Sequence, residues 1–255
     1  MEHHAAVQPQ MYTLLSARRF CGYERVSRGA LPRTELSRTQ CFRVIDEIAQ
    51  INPNILLIMT GGEPLLRPDI LEISRYAAQT GFWVVMGTNG VLLNDETVQK
   101  MIDHGVSGAG ISLDSIDSVN HDRFRGMEGA YEATMNGIEA LKRANLDFLV
   151  QTSMTRWNYD EIPEIVEFAY QLGAKVFNLY FLVRTGRGKT VMDITPAQYE
   201  GMLSTLFELQ AKYRNKMLIA DLEDSQLGSL PEPEFTRTFR TVQSQLSQLW
   251  HIPHP

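Results

Sequence analysis

The chain has 255 residues, 44% of them hydrophobic and 21% charged, so it is long enough to bury a substantial core and is not expected to be disordered. Its formal net charge of -6 argues against a general affinity for nucleic acid or anionic lipid, because both need an excess of basic residues. There is no leader pattern at Met1–Gln10 and no apolar run of about 18 residues, which predicts a cytoplasmic protein without a membrane partner.

The N-terminal segment, residues 1–35, contains a predicted strand at Met11–Leu15 and is rich in arginine. Seven arginines lie between Arg18 and Arg43, and such a run usually forms solvated surface. A basic patch for an anionic ligand is the alternative if the arginines share a face. The only cysteines are Cys21 and Cys41, so neither a disulfide framework nor a four-cysteine zinc site is expected.

A first helix is predicted after Ser37, which forms a capping box with Gln40. Cys41, Val44, Ile45 and Ile48 follow at helical spacing and predict its apolar face.

Short apolar runs then alternate with amphipathic helical patterns as far as Val183, which is typical of βα units around a parallel sheet. The predicted strands are Ile55–Thr60, Trp83–Gly87, Gly108–Leu113, Phe148–Met154 and Val176–Val183. With the strand at Met11 they make about six βα units, fewer than the eight of a closed barrel. The pattern therefore predicts an open, partial barrel.

Helix boundaries between these strands are marked by caps and stops. Pro68 predicts a first helical turn, while Asn94 and Gly105 bracket the following helix as cap and stop. Another apolar stripe, beginning at Ile162, ends before Gly173, and Thr195 opens one more helix with a second capping box. Met217–Ala220 indicates a further strand, and the remaining tail has weak periodicity.

Polar residues follow several of these strands, at the sheet edge where α/β proteins bind ligands. These segments are Thr60–Pro64 (TGGEP), Thr88–Gly90 (TNG), Ser112–Ser115 (SLDS) and, after the last strand, the loop RTGRG beginning at Arg184. Paired glycines allow a ligand to approach the backbone closely, although a glycine pair before a helix is as often a simple tight turn. His121 is interpreted as a surface or helix-start residue, since no second metal ligand stands at a suitable spacing.

The order GGEP, TNG, SLDS, HDRFRG and then TGRG resembles the radical SAM superfamily core, especially the branch of haem-biosynthesis enzymes and SPASM-type peptide maturases. The resemblance extends from Leu36 to about Ala211. It implies an α/β fold, a partial (β/α)6 TIM-like barrel with a parallel sheet, here with a short irregular C-terminal extension. It also implies S-adenosylmethionine (SAM) and a 4Fe-4S cluster as cofactors, and radical chemistry on a peptide or tetrapyrrole-like substrate.

The resemblance also assigns a set of cofactor-binding residues by position. The resemblance implies that the glycine pair and the acidic residue of GGEP meet the methionine amino group. Residues of the TNG segment border the cofactor or substrate, and residues of the SLDS segment approach the ribose. The complete set is Gly61, Gly62, Glu63, Pro64, Thr88, Asn89, Ser112 and Asp114, with Arg125 and Arg187 as weaker candidates for the carboxylate or the substrate.

The cluster loop departs from the family's pattern. The family places Cys-x3-Cys-x2-Cys after its first strand, and three thiolates hold the cluster. Counting forward from Cys21, the candidate metal ligand, reaches Arg25 and Arg28, and arginine has no lone pair to offer iron. Cys41 lies on the predicted apolar stripe and is interpreted as a small core residue.

Agreement with the family resumes abruptly at Leu36, which suggests a shifted reading frame across Phe20–Thr34. The sequence thus predicts three segments: residues 1–35 with the degenerate loop, the core at 36–212, and an extension at 213–255. Two functions stay open, an enzyme impaired by its missing thiolates and a non-catalytic protein that binds SAM or a partner. A barrel enzyme with a Schiff-base lysine at Lys175 or Lys189 ranks last.

Overall fold

A computed structural model describes residues 35–181 and 194–222. Six strands form one sheet in the order in which they occur along the chain, with helices in the connections between them. The pairs β1–β2, β2–β3, β4–β5 and β5–β6 are parallel. The predicted α/β class, a partial (β/α)6 TIM-like barrel, is confirmed.

The strands agree closely with the apolar runs of the sequence. They are β1 (Leu56–Met59), β2 (Trp83–Thr88), β3 (Val106–Ser112), β4 (Phe148–Met154), β5 (Val176–Phe181) and β6 (Leu218–Leu222). β3 begins two residues before its predicted start, because glycines at 108 and 110 interrupt the apolar pattern while Val106 already pairs with Val84. The predicted strand at Met11–Leu15 lies outside the described residues.

Seven α-helices are described in residues 35–181 and 194–222. They are α1 (Arg38–Ile51), α2 (Ile70–Gln79), α3 (Asp95–Asp103), α4 (Ser118–Arg125), α5 (Ala130–Arg143), α6 (Ile162–Leu172) and α7 (Pro196–Lys212), with short 3-10 helices at Pro64–Leu66 and Tyr159–Glu161. None of the helices in this part of the chain is long and apolar enough to cross a membrane.

The predicted caps are confirmed. Ser37 and Gln40 exchange the two hydrogen bonds of a capping box at α1, and Thr195 and Gln198 do the same at α7. The side chain of Asn94 caps α3, and Gly173 ends α6 in the left-handed conformation. These signals were readable because a cap depends only on neighbours within one turn.

Three local predictions need correction. Pro68 lies in a turn before α2, not in its first turn, because the Arg67 guanidinium binds the Asp69 carboxylate at 2.7 Å and holds that turn. Val44, predicted for the apolar face of α1, is 42% exposed, whereas Ile45 of the same predicted face is buried. His121 is in the first turn of α4 but not on the surface, since it is 1% exposed and its ring packs edge-on against Tyr131.

The chain divides into two compact units. The first comprises, in its described part, residues 35–113 and 117–148. Its core is built around β2, where Val84, Val85 and Met86 are all buried, and helices supply Ala77 and Val98. An uninterrupted apolar run is typical of a parallel strand covered on both faces.

The second unit comprises residues 114–116 and, in its described part, 149–181 and 194–222. Ile165 and Val166 of α6 and Phe177 and Leu179 of β5 are fully buried in its core. β6 lies beyond the predicted end of the core at residue 212 and pairs with β5 from Leu218 onward. The predicted strand at Met217–Ala220 is therefore confirmed.

A surface carboxylate of the second unit, Glu167, gives folding stability a predictable pH dependence. It accepts hydrogen bonds from Lys212 at 2.7 Å and from Tyr213, which lower its pKa from 4.5 to about 2. Because the folded-state pKa is depressed, the carboxylate stabilises the fold above pH 4.5, and this contribution is lost as the pH falls toward 2.

We expect Glu167→Gln to lower the melting temperature at neutral pH. The difference in melting temperature between the variant and the wild type should shrink as the pH falls from 4.5 to 2. Circular dichroism melts across this range are the measurement. Glu208→Gln, a change at an exposed position on α7, is the matched control. A difference between Glu167→Gln and wild type that stays constant down to pH 2 would contradict the assignment.

Candidate functional site

The glycine pair after β1 presents an open stretch of backbone in the first unit. Gly61 has φ +143°, a conformation that other residues rarely adopt, and a Cβ added to Gly61 or Gly62 would meet nothing within 4 Å. Both residues are exposed. The N–H and C=O groups of this turn are thus accessible to a ligand that approaches the end of β1.

Glu63 ties this turn to the loop after β2. Its Oε1 accepts hydrogen bonds from Thr88 Oγ1 at 2.8 Å and from Leu65 N at 3.2 Å, and its Oε2 accepts from Asn89 N at 2.9 Å. Pro64 follows as the buried first residue of a 3-10 helix, where its missing N–H costs nothing. The predicted GGEP and TNG segments are therefore in direct contact through one carboxylate.

The TNG loop is itself tightly built. Thr88 is the last residue of β2 and is 2% exposed, and its Oγ1 also accepts from Gly90 N at 3.1 Å. Asn89 Oδ1 accepts from Val91 N at 2.9 Å, so this amide side chain is engaged in its own turn. Gly90 has φ +84°, which favours glycine here.

Two other predicted residues belong to the first unit. Ser112 is the half-buried last residue of β3, and Thr88 pairs with the residue before it, so both lie at the same edge of the sheet. Arg125 is in the last turn of α4, with its guanidinium carbon 5.8 Å from the centre of the Phe124 ring. The structure thus brings Ser112 to the predicted edge and places Arg125 on a helix.

Asp114 belongs to the second unit and is wholly buried. Its Oδ1 accepts from Ser153 N at 3.0 Å, and its backbone carbonyl accepts from Asn158 Nδ2, also at 3.0 Å. Ser115 beside it donates to the Glu161 carboxylate at 2.8 Å. These contacts give Asp114 a function in holding the loop after β3 within its own unit.

The sequence interpretation missed Asn158 and Glu161 as members of this network. Asn158 Oδ1 accepts from Thr155 N at 2.8 Å, a polar pair three residues apart that resembles a helix cap and was the available signal. Glu161 accepts from Ile116 N at 2.7 Å across 45 residues of sequence, and nothing local indicates that pairing.

The predicted metal position Cys21, and the arginines at 25 and 28, lie outside the described residues, as does Arg187. Within residues 35–181 and 194–222, no group of three or more His, Cys, Asp or Glu side chains could hold a metal ion. Cys41 is half-buried on α1, with its thiol 3.9 Å from the Leu36 carbonyl oxygen. Two cysteines in the whole sequence do not fit a cluster that needs three thiolates, whereas the open glycine pair does fit a small polar ligand.

Comparison with known proteins gives a family match and a set of relatives. Residues 19–169, more than half of the chain, match the family model of the radical SAM superfamily. An AdoMet-dependent heme synthase of Methanosarcina barkeri is 42% identical over 184 residues, which are 72% of this chain and 52% of that protein. A PqqA peptide cyclase of Rhodopseudomonas palustris is 27% identical over 188 residues, 72% of this chain and 50% of the cyclase. The chain thus spans about half the length of the curated relatives it matches.

Among solved structures, Streptococcus suis SuiB bound to S-adenosylmethionine superposes with a TM-score of 0.65. The superposition covers 80% of this chain and 47% of SuiB, at 14% sequence identity. At this level of identity the likeness shows a common fold.

Proposed function

Because the chain belongs to the radical SAM superfamily, we propose that it binds SAM at the glycine pair of its first unit. The observation that carries the proposal is the open Gly61–Gly62 backbone. It is held in place by the Glu63 carboxylate, which accepts hydrogen bonds from the TNG segment after β2. The positive φ of Gly61 already favours glycine at that position, whereas Gly62 is outside that region and exposed, so an open approach to its backbone supports the proposal.

The proposed contacts follow from the chemistry of each group. A backbone carbonyl of the glycine pair accepts from the ammonium of SAM, and Pro64 fixes the direction in which the chain leaves the turn. Thr88 and Asn89 border the bound molecule, and Ser112 offers a hydroxyl to the ribose from the same edge. Arg125 is the weaker candidate for the methionine carboxylate, to which its guanidinium would offer a positive charge and paired N–H donors.

The relatives suggest which chemistry the ancestral protein performed. Their names concern haem synthesis and peptide cyclisation, so a tetrapyrrole-like molecule or a peptide is the proposed substrate class. In this chain the three-thiolate loop is incomplete, and we propose that radical chemistry is impaired for that reason. The second candidate function is a protein that binds SAM or a partner without redox chemistry, and the missing cysteines favour it.

Isothermal titration of the full chain with SAM tests the proposed site. We expect saturable binding with one SAM per chain, whereas ATP, which shares the adenosine but lacks the ammonium and sulfonium groups, should give no comparable heat. The absence of saturable heat with SAM would refute the proposal. Equal binding of SAM and ATP would show that the ammonium and sulfonium groups are not recognised and would contradict the proposed contact between the SAM ammonium and the glycine carbonyl.

A further inference from the structure

The loop that holds Glu63 is anchored from its other side by helix α5. Thr134, fully buried in the second turn of α5, donates its hydroxyl to the Asn89 carbonyl oxygen at 3.0 Å. The amide N–H of the same Asn89 donates to Glu63 Oε2 at 2.9 Å. Asn89 is therefore fixed through both its N–H and its C=O, by two residues far apart in the sequence.

The backbones of α5 and the TNG loop are in close contact at this point. A Cβ added to Gly137, one turn after Thr134, would lie 2.6 Å from the Gly90 carbonyl oxygen. A Cβ added to Gly90 would lie 3.1 Å from Thr134 Cγ2. Such small separations leave the loop no room to shift toward the helix, so the Thr134 hydroxyl sets its position on that side.

Glu63 transmits this position to the turn after β1. Its carboxylate accepts three hydrogen bonds, from Thr88 Oγ1, Asn89 N and Leu65 N. Thr88 and Asn89 belong to the TNG segment that Thr134 holds, and Leu65 belongs to the 3-10 helix that follows the glycine pair. Moving Asn89 therefore moves Glu63, and with it the backbone of Gly61 and Gly62.

We propose that Thr134 is a positioning residue for the SAM site, acting through Asn89 and Glu63 on the glycine pair. This inference rests on the proposed function. It also gives Glu63 a different function from the predicted contact with the methionine amino group. The Glu63 carboxylate connects two loops, and the glycine backbone meets the ligand. Thr134 itself lies in a helix behind the loop and does not need to contact SAM.

Three variants of the full chain test the inference. Thr134→Val keeps the shape of the side chain and removes the donor, and Thr134→Ser keeps the donor. Ser74→Ala removes a different fully buried hydroxyl of the same unit, which donates to the Ile70 carbonyl oxygen within α2 at 2.9 Å. SAM affinity is measured by titration at a temperature where every variant is folded, so that lower stability alone does not change the result.

We expect Thr134→Val to weaken SAM binding by about tenfold, in line with the loss of one buried hydrogen bond. Thr134→Ser should stay within about twofold of wild type, and Ser74→Ala should bind as wild type even though it melts earlier. In the absence of SAM, the amide protons of Asn89 and Leu65 should exchange faster in Thr134→Val than in Ser74→Ala.

The outcomes separate the two proposals. If the wild type binds SAM and Thr134→Val binds it equally well, the positioning role of Thr134 is wrong and the proposed function stands. If the wild type does not bind SAM, the proposed function fails and the positioning role fails with it. Should Thr134→Val not fold, Thr134→Ala replaces it, since the smaller side chain removes the same donor without placing a methyl group against the Asn89 carbonyl.

Discussion

Replacing Gly62 with valine is expected to weaken SAM binding by roughly ten- to a hundredfold, the range expected when bulk is forced into a filled site. Gly62 is outside the positive-φ region, and a Cβ there meets no protein atom within 4 Å. The variant should therefore fold and melt like the wild type. Any loss of affinity, measured by titration with SAM, then arises from a clash between the valine side chain and the bound ligand and not from a change in the folded protein.

Gly61→Ala and Gly129→Ala form a matched pair that controls for backbone strain. Both glycines have positive φ, +143° and +77°, and both have open space where a Cβ would stand. Each substitution costs about 1 kcal/mol or more in strain, so both should lower the melting temperature. Only Gly61→Ala should also weaken SAM binding. Unchanged affinity in both Gly62→Val and Gly61→Ala would place the ligand elsewhere.

Restoring the missing cysteines is the second change with a large expected effect. Anaerobic iron–sulfur reconstitution of the double variant Arg25→Cys, Arg28→Cys is expected to yield roughly four irons per chain with visible absorption. The wild type should yield almost none, because it retains one thiolate of the loop at Cys21 and arginine does not bind iron. Iron counting and the visible spectrum are the measurements.

The control for this experiment is Arg25→Ser, Arg28→Ser, which removes the same two positive charges and adds no thiolate. Roughly four irons on the wild type would overturn the proposed impairment and restore the enzyme interpretation. The encoding nucleotide sequence across Phe20–Leu36 bears on the same question. A one-base shift that returns cysteines at 25 and 28 would mean that the true relatives of this protein are active enzymes.

The sequence by itself determined the architecture of the core. β4 has the predicted bounds, Phe148–Met154, and the capping boxes at Ser37 and Thr195 form as predicted. These features are readable because apolar periodicity and helix caps depend on residues within about one turn of each other. The family could be predicted from the sequence for a different reason. Each motif alone is weak, but several of them in a fixed order are specific to one family.

Only the tertiary structure decided what the polar side chains do. Glu63 and Asp114 look alike in the sequence, as acidic residues after strands, but the first braces two loops and the second is buried in a network with Ser153. No sequence pattern indicated the hydrogen bond of Thr134, because its partner Asn89 lies 45 residues away in the chain. A side-chain hydrogen bond depends on which loops and helices the fold brings together within about 3 Å, and no local pattern carries that information.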